Sequence, residues 1–197
     1  MERETRALLL PCEARKGDAG GPTTLVGYAS TYGRETVIAG LFREVVEPGA
    51  FNLALSRPDD VRALFNHDPN WLLGRTKSGT LRLSSDGEGL RYEVDINADD
   101  PNAQSVMARV ERGDIDGSSF SFVVDAEEWE YPKEGLPLRR IKDVTLYDIA
   151  PVVYPAYGST SVSARAEARA KQAPADTQAA TANARKRWAQ AHVSTRV

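Results

Sequence analysis

Leu81-Arg82-Leu83-Ser84-Ser85-Asp86-Gly87-Glu88-Gly89-Leu90-Arg91-Tyr92-Glu93-Val94-Asp95-Ile96 carries the clearest regular pattern in the sequence. Leu81 and Leu83 alternate with Arg82 and Ser84, and Leu90, Tyr92, Val94 and Ile96 alternate with Arg91, Glu93 and Asp95. A period of two sets the apolar residues on one face of an extended chain, and the Asp-Gly-Glu-Gly between them supplies a turn. The stretch therefore predicts a β-hairpin with one buried face.

The neighbouring segments extend this reading. Residues 3–12 and 24–32 hold apolar and β-branched residues on either side of the turn-forming Asp18-Ala19-Gly20-Gly21-Pro22, which predicts two antiparallel strands. Val61 to Phe65 leads as a strand into His67. Phe120, Phe122, Val123 and Val124 predict a largely buried strand, and residues 141–154 one or two more, with Pro151 and Pro155 limiting their pairing as a central strand. Pro48 to about Ser56 predicts a short helix. A second helix is signalled by Asp100 as cap, Pro101 at the first position, and Ala103, Val106, Met107 and Val110 at helical spacing before Gly113. Many strands and few helices, without regular alternation, predict an α+β, mainly β, barrel-like single domain over residues 1–163. From residue 164 to 197 Ala, Arg, Lys, Gln and Thr dominate without an apolar stripe, which reads as a frayed helix or flexible tail.

Composition narrows the function classes. A hydrophobic fraction of 41% and a charged fraction of 27% exclude fibrous and wholly disordered chains. The single Cys12 cannot form an internal disulfide or a multi-cysteine metal site, so it reads as a small core residue in a reducing compartment. Ala7-Leu8-Leu9-Leu10 is too short to span a bilayer and lacks the flanks of a signal peptide, so a soluble, cytoplasmic protein with no membrane partner is expected. In residues 164–197 seven Lys or Arg against two Asp or Glu leave +5, and the net charge of −3 then leaves −8 on the remainder. An acidic body with a basic tail argues against nucleic-acid binding.

Two segments carry chemistry: Phe65-Asn66-His67-Asp68-Pro69 and Gly117-Ser118-Ser119-Phe120-Ser121-Phe122. A serine becomes a nucleophile when a neutral imidazole sits within hydrogen-bond reach of its hydroxyl, and a third group usually orients that imidazole. His67 is the one histidine set in strand-like, turn-bounded sequence, and Ser119 is its best partner. Taken alone, the pair reads equally as a turn residue and a structural serine. The G-x-S-x-G elbow is excluded, because Ser121 ends the motif, a strand follows it, and the histidine precedes the serine. No zinc-ligand spacing and no phosphate-binding glycine loop is present, so no metal or cofactor is expected. Asp68, adjacent to His67, reads as a turn cap. Trp71, Trp129 and Tyr131 read as core or rim residues, and Trp188 as a tail anchor.

Phe42-Arg43-Glu44, Pro48-Gly49-Ala50-Phe51, Asn66-His67-Asp68, Leu73-Gly74-Arg75-Thr76, Gly79-Thr80-Leu81, Asp86 with Gly89-Leu90, Gly113 with Ser119-Phe120-Ser121-Phe122, and Pro155-Ala156 follow one another in an order that resembles the caudovirus prohead serine protease family over roughly residues 24–163. The resemblance implies an assemblin-like barrel with a few flanking helices. It also implies a maturation endopeptidase acting in the host cytoplasm inside the phage procapsid. Its substrates would be scaffold, the major capsid protein's scaffolding segment, and itself. By the family's pattern His67 is the general base, Ser119 the nucleophile and Asp148 the acidic member. Ser118 and Ser121 stand where the family commonly has Met and Gly, and Asp148 where many relatives have Glu. The choice between Ser118 and Ser119 therefore stays open, as do Asp143, Glu44 or a bare Ser–His dyad in place of Asp148. Backbone N–H groups, with Arg139 and Arg140 as further donors, would hold the oxyanion. The other reading is a catalytically inactive relative serving as a scaffold or capsid-assembly protein.

Overall fold

The computed structural model describes residues 2–17, 23–155 and 163–172, together with 182, 183 and 186. The signature hairpin is formed by β8 (Leu81–Ser85) and β9 (Gly89–Asp95), with Leu81 opposite Val94, Leu83 opposite Tyr92 and Ser85 opposite Leu90. Leu81, Leu90, Tyr92 and Val94 are buried. On the other face Arg82 forks onto Asp95 at 2.6 and 2.8 Å. The Asp86 carboxylate closes the turn by accepting the N–H groups of Glu88 and Gly89 at 2.8 and 3.0 Å. Gly89 is required because β3 (Thr24–Thr31) runs so close that a Cβ would lie 2.0 Å from the Ser30 carbonyl oxygen.

The run at residues 3–12, expected as one strand, divides between two sheets. Pro11 has no N–H to donate, and the Leu10 N–H turns back to the Leu8 carbonyl at 2.8 Å. Glu4–Leu8 forms β1, and Cys12–Arg15 forms β2, which pairs antiparallel with β3 and completes the sheet β2-β3-β9-β8.

The second sheet is built on two long strands, β10 (Gly117–Glu130) and β11 (Leu138–Val152), in the order β1-β10-β11-β5-β4. Here β4 is Thr36–Ile38 and β5 is Phe42–Val46, parallel to β11. Further along, β11 pairs in parallel with β6 (Arg62–Leu64), which carries β7 (Leu72–Arg75). Pro151 does not limit β11 as expected, since one central strand runs through it, while the strand ends at Val152, before Pro155. A residue's N–H and C=O point to the same side of a strand, and the Pro151 carbonyl accepts from Asn66 N–H at 3.1 Å, on the β6 side. The missing donor therefore costs nothing in the ladder to β10.

The two open sheets enclose one core that includes Leu25, Phe51, Leu90, Tyr92, Phe120, Phe122, Ile141 and Ile149, which is the expected strand-rich α+β domain. Cys12 lies in this core. The expected first helix shrinks to α1 (Asn52–Ser56), because Gly49 takes φ +91° and interrupts any earlier start. The second, α2 (Pro101–Arg112), is as read: Asp100 accepts from Asn102 N–H, Gly113 ends it at φ +82°, and Ala103, Val106, Met107 and Val110 are buried. Where the tail was expected to begin, residues 164–171 form a docked helix, α3 (Ala164–Lys171), capped by Ser163. Ala166 and Ala170, one turn apart, pack on Ile38, Leu41 and Phe42. Alanine offers little apolar surface, so this contact leaves no apolar stripe in the sequence. Trp188, His192 and most of the tail lie outside the described residues.

Trp71 packs on Phe65 with ring centres 5.7 Å apart, and Trp129 sits between Phe42 and Tyr131 at 5.0 and 6.2 Å. No helix among the described residues is long and apolar enough to cross a membrane.

Candidate active site

Alternation along β10 decides which serine faces which way. Phe120 and Phe122 enter the core, as does Ser118, whose hydroxyl pairs with Tyr92 OH at 2.9 Å. Ser119 and Ser121 therefore lie on the opposite face. Ser119 is flanked in the ladder by Ala7 of β1 and Ala150 of β11, two small neighbours. Asp148 stands directly opposite Ser121, on its face. The next pair is Phe122 with Leu146, so Tyr147 is an extra residue on β11, a bulge that leaves its ring exposed beside Asp148.

His67 reaches this face from the turn between β6 and β7. Asp68 caps that turn, as expected, by accepting the Asn70 N–H at 2.9 Å. Asn66 and His67 take left-handed backbone with φ +53° and +59°. Such a conformation costs about 1–3 kcal/mol per non-glycine residue and persists where its surroundings hold it. Asn66 supplies that hold by clamping the end of β11: its N–H donates to the Pro151 carbonyl and its Oδ1 accepts the Val153 N–H at 3.0 Å.

The result is a connected line. His67 Nε2 lies 2.6 Å from Ser119 Oγ, and Nδ1 contacts Asp148 Oδ1. Ser119 Oγ is also 2.8 Å from the Arg6 carbonyl oxygen, so one hydroxyl proton serves two acceptors. Asp148 Oδ2 accepts from the Arg3 guanidinium, whose Nε also bonds Ser121 Oγ and whose plane lies 4.8 Å over the Tyr147 ring. Ser119 has no exposed surface. A neutral imidazole that donates Nδ1–H to Asp148 leaves the Nε2 lone pair for the serine hydroxyl, the arrangement needed for proton abstraction.

Burial lowers the His67 imidazole to about 4, and the nearby Arg3 guanidinium pushes in the same direction. The ring is thus neutral at pH 7 and becomes protonated only in acid. We expect a ¹H–¹³C NMR titration of the intact chain to show the His67 ring changing near pH 4, against about 6.5 for a free imidazole. A His192→Gln variant identifies the other resonance. A midpoint at or above 6.5 would contradict the buried arrangement.

Of the alternative partners, Glu44 is engaged by Arg6 and Arg139, and Asp143 accepts the Val144 N–H. Arg139 and Arg140 are committed to carboxylates, Arg139 to Glu4, Glu44 and Glu127 and Arg140 to Glu47 and Glu130. Among the described residues no group of three or more His, Cys, Asp or Glu side chains is arranged to hold a metal ion. Arg3 belongs to no motif read from the sequence, and Asn66 and Ser121, though within the two chemistry-bearing segments, carry no assigned role there.

No curated protein matches the chain. Among solved structures, the bacteriophage T4 capsid assembly protease, gp21, is similar at a TM-score of 0.45 and 12% identity, covering 77% of this chain and 99% of that one. The model of the caudovirus prohead serine protease family matches residues 11–174, a span that takes in His67, Ser119 and Asp148 and ends just past α3. By that match the chain belongs to the caudovirus prohead serine protease family.

Proposed function

We propose that the protein is a serine endopeptidase of phage head maturation, acting inside the procapsid on scaffold or on the capsid protein's scaffolding segment, and on itself. The observation that carries this reading is the His67 imidazole lying between Ser119 Oγ at 2.6 Å and the Asp148 carboxylate. In this mechanism Nε2 takes the hydroxyl proton as Oγ bonds to the scissile carbonyl carbon. It then returns the proton to the leaving amine as the carbon–nitrogen bond breaks. Water, activated by the same nitrogen, releases the acyl group from Ser119. Asp148 keeps Nδ1 protonated and stabilises the imidazolium. Its side chain is one methylene shorter than glutamate, and it follows directly on the bulge at Tyr147 in β11.

The complete burial of Ser119 favours the second reading, a catalytically inactive relative that serves capsid assembly. Co-production with the phage's own capsid and scaffold proteins separates the two. Wild type should shorten one of them, and intact mass should show loss of fragments from residues 164–197 if the enzyme also trims itself. His67→Ala should leave every chain whole. Equal processing by both, or by neither, would overturn the protease assignment.

A further inference from the structure

We propose that Arg3 and Ser121 are positioning residues for Asp148: Ser121 seats the Arg3 guanidinium, and Arg3 in turn holds Asp148 Oδ2 so that Oδ1 faces His67. This rests on the catalytic reading of His67, Ser119 and Asp148.

The Asp148 side chain is 2% exposed and has two oxygens to satisfy. Oδ1 is taken by His67 Nδ1, and Oδ2 by Arg3. Without Arg3 the carboxylate would keep a buried, negatively charged acceptor, Oδ2, that has lost its charged donor. A second carboxylate rotamer would then compete with the one that orients the imidazole.

Arg3 is well placed for the task because it is held from three sides. Its Nε donates to Ser121 Oγ, a terminal nitrogen donates to Asp148, and its plane lies over the exposed Tyr147 ring. Ser121 and Asp148 face each other across the β10–β11 ladder. One guanidinium fork therefore spans the two strands that carry the nucleophile and the acid, and fixes their relative register at the site. The Arg3 side chain is half exposed, so its removal opens no cavity in the core.

The charged and titratable groups around the His67 ring are Asp148 on β11 and Arg3 beside β1, with Arg62 of β6 close to Arg3. Replacing Arg3 by methionine removes a positive charge from this set and leaves Asp148 as the dominant neighbour. The imidazole then holds its proton to higher pH.

The test uses full-length protein with three variants, reading the His67 NMR titration and the steady-state cleavage of the capsid substrate. Arg3→Met should raise the His67 midpoint by about one pH unit and lower kcat by about 10- to 100-fold with KM unchanged. Arg3→Lys restores a charge but not the fork, so it should return the midpoint most of the way while kcat stays low. Ser121→Gly keeps Arg3 but removes its seat, and should lower kcat less than Arg3→Met. An unchanged midpoint and unchanged kcat in Arg3→Met would overturn the proposal, and so would full kcat in both Arg3→Lys and Ser121→Gly. Should Arg3→Met fail to fold, the other two variants decide the question. If wild type cleaves nothing, the catalytic reading fails, while the titration still reports whether Arg3 acts on His67.

Discussion

Ser119→Ala is expected to abolish processing of the capsid substrate, lowering kcat by about 10⁴- to 10⁶-fold, while the protein stays folded. Neither neighbouring serine of β10 is placed to take over. Ser118 Oγ is in the core on Tyr92, and Ser121 Oγ is engaged by Arg3. The fold should tolerate the change, because residue 119 already lies between Ala7 and Ala150 in the sheet. The cost is the hydroxyl's contacts with His67 Nε2 and the Arg6 carbonyl, about 1 kcal/mol of stability. Cleavage kinetics together with thermal unfolding check both halves. Retained activity in Ser119→Ala, with loss in Ser118→Ala, would reverse the assignment of the nucleophile.

The largest effect on stability should come from Arg139→Met. Arg139 is 2% exposed and reaches Glu4, Glu44 and Glu127, while Arg6 shares Glu4 and Glu44 from the other side. Removing the one guanidinium leaves Glu4 and Glu44 to Arg6 and leaves Glu127 with the exposed Arg165 at 3.5 Å. Breaking a buried pair in this way costs about 3–5 kcal/mol, although the intact pair need not stabilise more than an apolar substitute would. Exposed pairs such as Lys142–Glu128 should matter far less, about 0–1 kcal/mol.

The pH dependence has a definite sign. Burial pushes the Glu4 carboxyl up, but the Arg139 and Arg6 guanidiniums outweigh it and hold it down at about 2. A carboxylate held below its unfolded value stabilises the fold above that value, and the contribution is lost as pH falls towards 2. The gap between wild type and Arg139→Met in urea unfolding should therefore be wide at pH 7 and narrow towards pH 3. A gap that does not change with pH would mean that the cluster is held by packing rather than charge.

Much of the framework was legible because its signals are local. The period of two over residues 81–96 and the cap, proline and glycine around α2 each act within a few residues. What was missed depends on distant partners. A continuous strand over residues 3–12 ignored the missing donor at Pro11, and only the second sheet reveals where β1 goes. Which side of β11 the lost donor of Pro151 faces is likewise set by distant strands. His67, Ser119 and Asp148 were named from sequence, whereas Arg3 lies 118 and 145 residues from the groups it joins and belongs to no motif. The two departures at Ser121 and Asp148 looked independent in sequence, yet they face each other across one ladder and share one guanidinium.

The first and last described segments of the domain meet at Glu4. Its Oε1 accepts from the Ser163 hydroxyl at 2.9 Å, and Glu2 accepts the Ala164 N–H at 2.7 Å. The polypeptide is thus stitched into a loop whose seam lies one strand away from Ser119. Shortening the chain beyond Lys171 leaves the seam whole. Severing it before Ser163 would strip Glu4 of a partner, unroof Phe42 and loosen the strand that carries Arg6 against Ser119. The fold thereby counts residues 163–171 with the body of the domain.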